Sequence, residues 1–240
     1  MIDTLGFPFT SKISRKLFKK QFIENFSLNI NERKVLSDYV ESITLEYLLN
    51  KNTINIIPFV DEDRDYSEIA LVQVEITDKT KFKSISSIIQ NIPYPLIVFI
   101  VCANAIMVNV SPKRISKSDS SKLVVEESHF TDWIDFENPS HLEAEFIKSL
   151  EARNHPFTDL YAFYNSYLDR IIAFNASKYS GQLNTTEETK AILTQISVCE
   201  AKITELKNKI KKETSFSDKV NLNIELKKMN DKLNDLKGSL

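Results

Sequence analysis

Residues Ile54 to Val110 constrain the fold of this chain more than any other stretch. Thr53 to Val60 is rich in β-branched side chains and runs into an acidic turn, Asp61 to Asp65, which predicts a strand and a reversal. Glu68 to Thr77 alternates and then runs apolar, as a central strand does. Lys81 to Ile92 sets Phe82, Ile85, Ile88, Ile89 and Ile92 at helical spacing, and Pro93 and Pro95 stop that helix. Leu96 to Ala103 is a fully apolar strand, with Ala105 to Val110 as its hairpin partner. Ahead of this block, Glu32 to Leu49 reads as an amphipathic helix capped at Asn31, with Val35, Leu36, Tyr39, Val40 and Ile43 on its apolar stripe. The expectation is an α/β (α+β) domain: a mixed sheet of about four to six strands flanked by helices.

Around the block the chain changes character. Ser14 to Phe26 spaces Leu17, Phe18, Phe22 and Phe26 as a helix would, with Lys12, Arg15, Lys16, Lys19 and Lys20 on the other face. Ser111 to Lys122 reads as a loop rich in Ser and Lys, carrying Lys113 and Arg114, and Leu123 to Val125 as a further short strand. From Pro139 to about Lys178 the pattern is helical and aromatic, and Gly181 marks a boundary. Beyond Thr185 a polar helical region keeps Ile196, Ile203, Leu206 and Ile210 on a narrow seam. After a break at Thr214 to Ser217, a last helix does the same with Leu222, Leu226, Met229, Leu233 and Leu236. These residues are read as an interaction seam in an antiparallel coiled-coil hairpin. The organisation expected is an α/β domain with a basic arm over 1–137, an aromatic helical segment packed on it over 138–180, and the hairpin over 181–240.

Composition removes several functions. The formal net charge is −2, so no global field draws the chain to DNA or anionic lipid, and any such contact needs a local patch. Two distant cysteines, Cys102 and Cys199, do not make a disulfide framework or a zinc site. Three glycines in the whole chain leave no phosphate-cradling loop. The apolar run Pro95 to Val110 is too short to cross a bilayer, and the N-terminus lacks the basic and apolar regions of a secretory signal, so a cytoplasmic location is expected. Glu126, Glu127, His129, Asp132 and Asp135 lie in one extended stretch and do not converge as metal ligands must, so no metal site is expected.

The element order resembles the core of the restriction-endonuclease-like (PD-(D/E)XK) nucleases. That chemistry needs carboxylates on two adjacent strands to hold Mg²⁺, and a lysine two residues past the second to steady the transition-state charge. Asp61, Asp63 or Asp65 would supply the first acid and Glu68 or Glu75 the second, but Ala70 and Thr77 stand where the lysine belongs after Glu68 and Glu75, and Lys79 lies beyond in the turn. Lys12, Arg15, Lys16, Lys19, Lys20, Lys113 and Arg114 would instead serve as sequence-independent phosphate contacts.

Leu5-Gly6-Phe7-Pro8, the Ile13 to Phe26 arm, the strand Glu68 to Ile76, Ile92-Pro93-Tyr94 before an apolar strand, and His129-Phe130-Thr131-Asp132-Trp133 together resemble a bacterial family catalogued as domain of unknown function 4391, over roughly residues 1 to 175. The resemblance implies gene company with helicases and DNA methyltransferases in restriction-like or anti-phage clusters, and it carries over no catalytic residue. Three readings follow. One is a non-catalytic accessory or scaffold subunit of a DNA-processing defence assembly, docking a helicase, a methyltransferase or a second copy through the C-terminal helices, with no cofactor. Another is a divergent nuclease using Mg²⁺ at Asp63 or Asp65, Glu75 and Lys79. The third is a DNA-binding module acting through the basic arm.

Overall fold

The computed structural model describes residues 2–119, 122–181, 183 and 187–240. By its internal contacts the chain divides into two units, Met1–Ile171 and Ile172–Leu240. The first holds a mixed sheet flanked by helices, so the expected α+β class is the one observed.

Its elements run β1 (Lys12–Lys16), α1 (Lys19–Asn25), α2 (Ile30–Tyr39), β2 (Val40–Leu49), α3 (Lys51–Ile54), β3 (Phe59–Val60), β4 (Asp65–Tyr66), β5 (Ile69–Ile76), α4 (Phe82–Ile89), β6 (Leu96–Cys102) and β7 (Ala105–Val110). There follow β8 (Lys113–Ile115), β9 (Leu123–Val125), β10 (His129–Phe130), β11 (Ile134–Asp135), α5 (His141–Ser149) and α6 (Leu160–Ser180), and the unit boundary falls inside α6. The main sheet has the order β1-β2-β5-β6-β7-β10, with β11 also on β7. Among its strand pairs only β5 and β6 are parallel, joined by α4; β2 runs antiparallel to β5, and β6 and β7 form a hairpin. One sheet face, through Val72, Val74, Val98 and Ile100, packs on Phe22 of α1, Leu36 of α2 and Ile85, Ile88 and Ile89 of α4. These aliphatic side chains alternate along each strand, as burial of one face requires.

Two expected helices are corrected. Glu32 to Leu49 is not one helix: α2 ends at Tyr39 and the chain passes directly into β2. Val40, Ile43 and Thr44 are β-branched, which favours the strand, and pairing of β2 along the whole of β5 decides it. Ser14 to Phe26 likewise divides into the edge strand β1 and the short helix α1. Irregularities in β1 and β2 face each other: Ser14 takes a left-handed backbone (φ 47°), and its hydroxyl donates to Glu46 Oε2 at 3.0 Å. Such bulges twist an edge away from further pairing.

The second unit contains the end of α6, α7 (Glu187–Lys212) and α8 (Phe216–Gly238). Helices α7 and α8 pack on each other, and Lys237 Nζ meets Glu200 Oε1 at 3.2 Å. No helix among the described residues is long and apolar enough to cross a membrane.

Candidate functional site

The residues of the nuclease reading do not meet. Asp63 lies in the exposed turn between β3 and β4, and Asp65, on β4, turns its Oδ1 to the backbone and hydroxyl of Ser67. Both precede β5, whereas Glu75 stands near its far end, roughly 20 Å along the strand at ~3.3 Å per residue. Glu75 accepts from Ser42 Oγ (2.7 Å) and Gln73 Nε2 (3.2 Å), and Lys79 holds its amine over the Trp133 ring at 5.4 Å. Among the described residues no group of three or more His, Cys, Asp or Glu side chains is placed to hold a metal ion. These residues do not fit a Mg²⁺ site.

The basic residues are scattered in a way helical spacing did not foresee. Lys12 pairs with Asp3 at 2.8 Å, Lys19 donates to the Ser37 carbonyl at 3.0 Å, and Lys20 pairs with Glu24 at 3.4 Å. Arg15 and Lys16 are exposed on the edge strand β1. Arg114 is half-buried and donates to the Ile115 carbonyl. Lys113 is a correction: at 1% exposure it cannot reach a phosphate. Its Nζ donates to the carbonyls of Gln90 (2.8 Å) and Ile92 (2.7 Å), and burial pushes the amine down to about 7.

Lys113 belongs to a buried polar network that no local pattern announced. Asn109 Oδ1 accepts from Ser86 Oγ (2.8 Å) and Gln90 Nε2 (3.0 Å), while its Nδ2 donates to the His129 carbonyl (2.9 Å). The Tyr164 hydroxyl donates to the Leu96 carbonyl and accepts from the Ser111 backbone, both at 3.0 Å. The Tyr66 hydroxyl accepts from the Lys113 backbone at 3.2 Å. Burial raises both phenols, so they stay protonated and able to donate. The network fastens α4, β7 and the turn after α4 to one another, which is a positioning role. Elsewhere His155 stacks on Tyr167 at 4.0 Å, and burial, with Arg170 second, pushes its imidazole down to about 3.

The helical arm offers a different kind of site. On α7, Ile196, Ile203 and Leu206 are buried and Ile210 is half-buried. On α8, Leu222, Leu226, Met229, Leu233 and Leu236 are all half-buried. Besides that seam α8 carries a second stripe, Phe216, Val220 and Ile224, at 83%, 42% and 51% exposure and four residues apart. The sequence reading missed it, although the i, i+4, i+8 spacing was there to find.

A family model described as Domain of unknown function (DUF4391) matches residues 5–233. No curated protein and no solved structure matches the chain.

Proposed function

The chain belongs to the DUF4391 family, and from that premise we propose that it is a non-catalytic accessory subunit that docks another protein through its C-terminal helices. One observation carries this reading: α8 spends one apolar face on the seam residues and leaves a second, Phe216, Val220 and Ile224, in water. A two-faced amphipathic helix of this kind is what a partner groove or helix takes up through residues at i, i+4 and i+8. The partner class we infer is a protein of a DNA-processing defence assembly, such as a helicase or a methyltransferase, which is the gene company that the family resemblance implies. A second copy of the chain is the other candidate.

Replacing Phe216 with Ser and both Val220 and Ile224 with Asn in the full chain tests this, with the neighbouring genes co-expressed. Circular dichroism should show α7 and α8 intact, because none of the three side chains is buried. We expect the variant to lose the co-purifying partner, or to fall from dimer to monomer in light scattering. A variant that keeps both its partners and its mass would sink the proposal.

A further inference from the structure

An apolar cavity of about 280 Å³ lies between α1 and strands β2 and β5. Its wall includes Leu17, Phe22, Phe26, Leu45, Leu48 and Val72, with almost no polar surface. Leu45 and Leu48 stay half-buried in the interior of a wide sheet, and exposed Gln21, Asn25 and Tyr94 form the mouth. The space is a groove about half open to solvent, and enclosed dry cavities of only ~150 Å³ already take up benzene. This space is large enough for an apolar ligand. Its wall is also held in place: Lys113 Nζ grips the Ile92 carbonyl, and Ile92 and Pro93 line the cavity.

A charge stands beside it. Leu17, one residue past β1, continues the ladder by donating its backbone N–H to the Ile43 carbonyl at 2.8 Å, so it shares a face with Arg15, and Leu17 is in the cavity wall. Across the ladder Arg15 pairs with Leu45, another wall residue. Paired Cβ atoms sit about 5 Å apart, within the reach of an arginine. Lys12, Lys19 and Lys20 are engaged by neighbours, whereas Arg15 is exposed and its guanidinium makes no hydrogen bond or ion pair among the described residues. Gln21, at the mouth, turns its Oε1 to the Phe18 backbone and so leaves its amide N–H groups for an oxyanion.

We propose that this cavity binds a free medium-chain carboxylate, with the tail in the apolar space and the headgroup paired with Arg15. A guanidinium fork matches a carboxylate with two parallel hydrogen bonds, and the wall offers nothing to a polar tail.

Calorimetric titration of the full chain tests it with octanoate, decanoate and dodecanoate, beside decanol and decyltrimethylammonium. The carboxylates should bind one to one, with Kd falling about three- to fourfold per added methylene. Arg15→Gln should raise the Kd for decanoate about tenfold and leave decanol unchanged. Leu45→Trp should block both by filling the space. Arg15 is exposed, so its variant keeps the fold even if Leu45→Trp does not. Four results would each overturn the proposal: a Kd independent of chain length, equal binding of the cationic amphiphile, decanoate binding untouched by Arg15→Gln, or retention on anionic vesicles with no binding of monomeric carboxylate.

Discussion

Lys113 and His155 are the buried basic side chains among the described residues, and each makes stability depend on pH in its own window. Burial takes the Lys113 amine from 10.5 to about 7. Between those values the unfolded chain holds a proton that the folded chain has released, so stability rises with pH there, and below about 7 the full penalty remains. Relative to Lys113→Met, the parent should gain on the order of 1 kcal/mol per pH unit between pH 7 and about 9 in urea denaturation. Tyr66, Tyr164 and Tyr167 do not cloud that window: burial raises their folded hydroxyls above the ordinary value of 10, so their linkage with pH begins only near 10, above the window. A parallel pH response in parent and variant would refute the assignment. His155 follows the same sign at lower pH: its imidazole falls from 6.5 to about 3, chiefly through burial, so stability is lost as pH drops through that range. His155→Phe keeps a ring against Tyr167 and should remove this share of the acid sensitivity, read as a smaller loss between pH 6.5 and about 4.5.

The helix-to-strand junction at Tyr39 and Val40 shows what decides an element here. Helix α2 is fixed at its start by a reciprocal pair: Asn29 Oδ1 accepts from Glu32 N at 3.0 Å, and Glu32 Oε2 accepts from Asn29 N at 2.8 Å. Asn29→Ala should cost about 1 kcal/mol and Asn29→Gly only a few tenths, measured by chemical denaturation. If Asn29→Ala proved neutral, the entry to α2 would be set by packing alone. The far end has no such local marker. No Gly or Pro separates α2 from β2, and Val40, Ile43 and Tyr47 fit a helical stripe as readily as a twisted strand, so the sequence reads as one long helix. Non-local pairing with β5 settles the matter, and no window of one element contains it. By contrast, α4 and the strands β5 to β7 were legible because prolines and turn residues bracket each short apolar run. The sites divide in the same way. The exposed stripe on α8 was present in the spacing but hidden behind the stronger leucine seam. The burial of Lys113 and the cavity beside Arg15 arise from elements dozens of residues apart.

At the scale of the whole molecule the question is which surface recruits a partner, and salt separates the two candidates. The net charge of −2 gives no long-range attraction to a polyanion, so DNA binding would need local basic side chains such as Arg15 and Lys16 on β1 and Lys19 and Lys20 on α1, the last two released from Ser37 and Glu24. Four phosphate contacts would give a slope of roughly −3.6 in log K against log salt, a loss of about a hundredfold between 50 and 200 mM. A contact made by Phe216, Val220 and Ile224 depends on apolar burial, which salt in that range barely changes. We therefore expect partner capture by the full chain to stay within about twofold across the same interval. We also expect it to survive charge reversal at Lys16, Lys19 and Lys20, and to fail in the α8 triple variant. A steep salt dependence that those charge reversals abolish would transfer recruitment from the helical arm to the basic edge of the sheet.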